Sequence, residues 1–277
     1  MRAALVGVVL AGVTAASVAG VTLAEPQRFP GGGRQAQRYD PLLENLQGNT
    51  PYDGRFVFIR LRYQTGFGSG RRGGPPWSHD YPRGEVHFTQ ILKEITYANA
   101  RTDGSNILML DDPELFNYPV AYMAEPGFWT MTDKETESFR AYLKKGGFVI
   151  FDDFREAEAG ADGLGHWDNL QAQMRRVLPE GRWIEIDSGT EAVWHSFFEI
   201  PNPKALAPPP IYDQSMVLRY YGIFENNDPS KRLMAIANVN GDISEYWEFS
   251  DTGFAPVDLN NEAYKYGINY VIYGITH

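Results

Sequence analysis

Residues 146–154, GGFVIFDDF, constrain the fold more than any other part of the chain. Phe148, Val149, Ile150 and Phe151 follow one another without a polar residue, so a strand built from them is buried on both faces. Strands of that kind belong to sheets covered by helices on two sides, and such sheets are mostly parallel. The run then stops on two carboxylates, Asp152 and Asp153. In open α/β sheets ligand crevices lie beyond the carboxyl ends of the strands, so acids at such an end are candidates for a site.

The same pattern recurs along the chain. NILML is an apolar run halted by Asp111, Asp112 and Pro113, and YPVAYM and RLMAIANV are further short runs. RFVFIRLRY, residues 55–63, reads as the first strand, with Phe56 and Phe58 on one face and Arg60 and Arg62 near its end. Between the runs lie helical patterns. TDKETESFRAYLKKGG carries a capping box in Thr132 and Glu135, an apolar face of Phe139, Tyr142 and Leu143, and Gly146 as the stop. EVHFTQILKEITYA places Val86, Ile91, Leu92 and Ile95 close to helical spacing. HWDNLQAQMRRVL and NNEAYKYGINYVIYGIT are expected to be helices, and RWIEI a strand. Strand and helix alternate as far as about Ser188, after which the order loosens around SFFEI and the proline-rich PNPKALAPPP.

Three regions are expected. Residues 1–24 have Arg2 as their only charge, then small and apolar residues ending in Thr22-Leu23-Ala24, the anatomy of a cleaved secretory signal; an uncleaved anchor is the competing reading. Residues 25–53 are rich in Pro, Gly, Gln and Arg and read as a flexible lead. Residues 54–277 form the folded domain. A periplasmic or secreted protein with no membrane span after cleavage follows.

The net charge of −10 becomes −11 without Arg2 and argues against nucleic acid as a partner. There is no cysteine, which excludes a thiolate nucleophile, a thiolate metal site and thiol redox chemistry.

DDPELFNYPVAYM, FRAYLKKGGFVIFDDF, HSFFEI and YKYGINYVIYGIT, in that order, resemble the successive motifs of the bacterial domain of unknown function 4159 family. That family is similar to class I glutamine amidotransferase-like proteins, so the resemblance implies a three-layer α/β/α, flavodoxin-like fold with a mostly parallel sheet. It implies little chemistry. Where amidotransferase relatives turn into their nucleophilic Cys after a Gly-Gly strand, this chain has Asp152, Asp153 and Phe154.

The candidate catalytic residues are Asp152 and Asp153, as general base or metal ligand, with His195 as base or ligand. Because neighbouring strand residues point to opposite faces, one aspartate at most would enter a given cleft if the strand persists. The other is expected to cap a following segment or to pair with Arg155. Asp111 and Asp112 are candidate ligand-binding residues, with a turn before Pro113 as the competing reading. Arg71 and Arg72, in the glycine-rich GFGSGRRGG, can clamp an anion.

His79 and His87 are eight residues apart, which fits neither a helical pair nor a known zinc motif. No metal or cofactor motif of diagnostic spacing is present, and neither is a phosphate loop or a G-x-S-x-G elbow. The function expected is a non-catalytic module binding an unknown protein or small molecule. The alternative is a hydrolase or metal-assisted enzyme using Asp152, Asp153 and His195.

Overall fold

Residues 146–154 do form a buried strand, and it lies in the middle of the sheet. The computed structural model describes residues 48–65, 75–158 and 165–277. The strands are β1 (Ile59–Arg62), β2 (Gln64–Thr65), β3 (Asn106–Met109), β4 (Val120–Ala124), β5 (Trp129–Thr130), β6 (Phe148–Phe154), β7 (Ile184–Glu185), β8 (Arg219–Phe224) and β9 (Leu233–Val239). Seven of them form one sheet in the order β3-β1-β4-β6-β9-β8-β7, and β2 and β5 pair separately.

The pairings β3–β1, β1–β4, β4–β6 and β6–β9 are parallel; β8 runs antiparallel to both β9 and β7. Numbered by themselves in chain order, the five parallel strands lie 2-1-3-4-5 across the sheet. The chain is thus α/β with a mostly parallel sheet.

Five helices accompany it among the described residues: α1 (Arg83–Ile95), α2 (Asp133–Lys144), α3 (His166–Val177), α4 (Ile243–Glu248) and α5 (Val257–Thr276). Side chains on the central strands divide by parity between two cores. Val120, Tyr122, Phe148 and Ile150 join Phe88 and Leu92 of α1 and Tyr246 and Trp247 of α4. Ala121, Met123, Val149 and Phe151 join Phe139 and Leu143 of α2 and Leu170 and Met174 of α3. A strand with a core on each face needs no polar alternation, which is why its sequence reads as an unbroken apolar run.

The capping box of α2 is present: the Thr132 side chain accepts from the Glu135 amide, and Glu135 accepts from the Thr132 amide. Gly146 follows with φ of +118°, a conformation that favours glycine.

One expectation is corrected. The buried residues of α1 are Gly84, Glu85, Phe88, Thr89 and Leu92, while Ile91 and Ile95 are exposed; the helix is rotated because Glu85 turns inward. Arg60, within β1, is buried, and its partner is that same Glu85. The late aromatics Tyr220 and Phe224 lie buried on β8. Residues 1–47 fall outside the described residues, and with them the signal and most of the lead; Arg71 and Arg72, in the stretch 66–74, also lie outside the described residues. Among the described residues no helix is long and apolar enough to cross a membrane.

Candidate functional site

Strand β6 does not end as an ordinary strand. Between Phe151 and Phe154 its register against β9 shifts, and Asp153 adopts φ of +57°. A bulge of this kind breaks the alternation of side chains. Asp152 and Asp153 therefore both enter one polar network at the carboxyl edge of the sheet, where simple alternation would have admitted only one of them.

Asp152 is fully buried and saturated with donors. Its Oδ1 accepts from Asn238 Nδ2 at 2.9 Å, and its Oδ2 from the backbone amides of Ile243 at 2.9 Å and Ser244 at 3.3 Å. The Tyr122 hydroxyl lies 2.8 Å from the same Oδ2 and 2.7 Å from Ser244 Oγ, so its single proton serves one of the two at a time. Asp152 thus anchors the start of α4 from across the sheet, the capping role expected of one of the two acids, exercised on a helix far along the chain.

Asp153 faces elsewhere. Its Oδ1 lies 3.4 Å from Arg155 Nη1, and its Oδ2 lies 2.6 Å from His79 Nδ1. His79 Nδ1 is also 3.3 Å from Asp80 Oδ1. The segment carrying His79 and Asp80 is fixed by Arg60, whose guanidinium donates to the carbonyls of Trp77 at 3.0 Å and His79 at 2.8 Å while pairing with Glu85. A buried arginine with every partner in place is a rigid support; one stripped of its carboxylate would be a heavy penalty.

Asp242, just after β9, completes the group. Its Oδ1 accepts from the Glu245 amide at 2.9 Å as the cap of α4, and its Oδ2 accepts from Tyr212. His79, Asp80, Asp153 and Asp242 each offer one ligating atom, all within 4.8 Å of one another. Asp80, Glu245 and Glu248 form a second such group, also within 4.8 Å. Arg155, stacked 3.7 Å from the Tyr212 ring, borders the first group.

The electrostatics follow from crowding acids out of water. Burial, then the neighbouring Asp242 carboxylate, pushes Asp153 up to about 7. Burial, then Asp80 and Asp152, does the same for Asp242, also to about 7. Burial and Asp80 push Glu248 up to about 9. Burial raises Asp152 to about 6, against the pull of its hydrogen bonds from Asn238 and Tyr122. Asp80 moves the other way: burial would raise it, but His79 and the hydrogen bonds it receives hold it well below the usual range. For His79 burial works downward, and the two facing carboxylates overcome it, raising the imidazole well above its ordinary value.

The other sequence candidates lie apart from this network. His195 ends a 3-10 turn, Ala192–His195, with its ring nitrogens on Glu199 Oε2 and the Gly189 carbonyl; it belongs to neither group of ligating residues. Asp111 pairs with Lys134 at 2.7 Å, and Asp112 accepts from the Glu114 amide at 2.9 Å, the turn-and-cap reading of that pair. His87 Nδ1 contacts the Trp247 carbonyl at 2.8 Å.

Sequence reasoning missed Asp80, Asp242, Glu245 and Glu248, and gave His79 no partner but His87. A signal existed for three of them. Asp242 and Glu245 in GDISEYWE have capping-box spacing, and Glu245 and Glu248, three apart, share a helix face. Linear spacing cannot register a ligand set drawn from residues 79–80, 153 and 242.

The family model described as Domain of unknown function (DUF4159) matches residues 57–275, which include every residue of both groups. The chain belongs to that family. No curated protein matches it.

Proposed function

We propose that this chain is an exported divalent-cation-binding module, with the cation held by His79, Asp80 and Asp153 at the carboxyl edge of the sheet and Asp242 beside them. One observation carries this reading. His79 Nδ1, Asp80 Oδ1 and Asp153 Oδ2 converge, and apart from the ion-pair contacts of the one imidazole with the two carboxylates none of the three has a hydrogen-bond partner of acceptable geometry. Buried polar atoms are ordinarily hydrogen-bonded, and one imidazole nitrogen has a single proton to share between two carboxylates, so the group is left short of donors. A cation among them removes that deficit and offsets the mutual repulsion of the acids. One imidazole with carboxylates suits a first-row divalent ion such as Mn²⁺ or Zn²⁺.

The scaffold reading is the three-layer, flavodoxin-like, amidotransferase-like one. The 2-1-3-4-5 order of the parallel strands supports it, as does the division of the core between both faces of the sheet. In that frame Asp152 and Asp153 stand where the relatives carry a thiol nucleophile, and a cation centre replaces the covalent chemistry. Asp152 acts as a positioning residue, holding α4 against the site. Export rests on the pattern of residues 1–24. The His79 side chain is 39% exposed, so a small anionic ligand or a partner's side chain can reach the cation from that side.

The test is direct titration. Protein stripped with a chelator should bind Mn²⁺ or Zn²⁺ in calorimetry, and Asp153→Asn should weaken that binding by more than about 10-fold. Binding of the same strength in Asp153→Asn, or no binding by the wild type, would defeat the proposal.

A further inference from the structure

The second carboxylate group deepens this reading and rests on it. We infer that Asp80 bridges two cations: one in the site of His79, Asp153 and Asp242, the other held by Asp80, Glu245 and Glu248. Asp80 is the one residue common to both groups, and within each group the ligating atoms lie within 4.8 Å of one another. Centres in which two divalent ions sit about 3.5–4 Å apart are commonly built on carboxylates of this kind.

One further feature points to a ligand rather than to a chance gathering of acids, and the surrounding structure fixes it in place. Asp80 is 1% exposed, and its Oδ1 is buried without a hydrogen bond. The backbone that aims it is in the left-handed region, with φ of +61°, a conformation uncommon for a residue with a side chain. The helix that supplies Glu245 and Glu248 is held in place by three separate devices. Asp152 accepts from the amides of Ile243 and Ser244, Asp242 caps Glu245, and the hydroxyl of Ser244 donates to Asp80 Oδ2.

Glu245 is itself 4% exposed, so its carboxyl group has little water to face. Arg83, at the start of α1, is paired with Asp251. The donor set of the second site is all oxygen, which suits a hard ion such as Mn²⁺ or Mg²⁺, whereas the first includes an imidazole.

Mn²⁺ serves as the probe for both sites. The chelator-stripped full chain, titrated calorimetrically and measured by elemental analysis after dialysis, should take up about two equivalents per chain, and its spin-resonance spectrum should show exchange-coupled ions. Glu248→Gln, close in shape to the native residue, should reduce the uptake to about one equivalent and abolish the coupling. Asp80→Asn should impair both sites. If the wild type binds one equivalent, uncoupled, and Glu248→Gln binds the same, then Asp80 and Glu248 merely share a proton; this inference falls and the single-cation reading stands. Uptake of none defeats both. The coupling measurement is made on the wild type, so the inference remains testable even where a variant fails to fold.

Discussion

Two pairs of adjacent aspartates end apolar strands in this protein, and their fates differ completely. Asp111-Asp112 follows β3, at the edge of the sheet, and Asp152-Asp153 closes β6, with neighbours on both sides. At the edge, water and the local chain satisfy the acids: one pairs with the exposed Lys134 and the other caps a short 3-10 turn. In the centre no water is at hand, so every lone pair needs a partner from the fold. Asp152 receives four contacts from three segments, while Asp153 faces His79, other acids and Arg155 at 3.4 Å. The lesson is that strand position, more than residue type, decides whether a terminal carboxylate is a turn device or part of a site.

The comparison can be broken by mutation. The largest effect is expected from Asp152→Ala, which strands the amides of Ile243 and Ser244, the Asn238 side chain and the Tyr122 hydroxyl in the interior. It should cost about 3–5 kcal/mol in denaturant unfolding. A loss below about 1 kcal/mol would mean that the central pair is no more embedded than the edge pair.

Next comes pH. Asp153, Asp242 and Glu248 have folded-state values raised to about 7, about 7 and about 9, above the usual range of an unfolded chain near 4. The folded state therefore holds their protons more tightly. Their contribution is fully present below about pH 4 and is lost as pH climbs through about 7 to 9. His79, also raised, acts in the same direction, while depressed Asp80 opposes it, losing its contribution only in acid. The melting temperature of metal-free protein should fall by more than about 3 °C between pH 6 and 8.5. Saturating Mn²⁺ should flatten that fall, and a metal-free melting temperature that rises with pH would contradict the crowded-acid picture.

The edge pair should respond weakly. Asp112→Ala removes a cap and should cost about 1 kcal/mol, with cation binding unchanged. Asp111→Asn, whose partner Lys134 is 80% exposed, should leave the melting temperature unmoved within error. A loss of Mn²⁺ binding in either variant would erase the distinction between the two pairs.

Much of the architecture was legible in the residues. The unbroken apolar runs of β4, β6 and β9 required a sheet covered on both faces, and the capping box at Thr132 fixed where α2 begins. The acids at the end of β6 were correctly singled out as a feature of the sheet's carboxyl edge. His195 is held by Glu199 and the Gly189 carbonyl and belongs to neither group of ligating residues.

What the chain determines by itself is local: hydrophobic runs, caps and the absence of a thiol, each set by neighbours a few residues away. The tertiary structure alone decided that β6 bulges at Asp153, that Arg60 turns inward to hold the His79 segment, and that residues 80, 153, 242, 245 and 248 meet. Those outcomes depend on which strands lie side by side and on where water is excluded, and neither quantity is written in the spacing of residues along the chain.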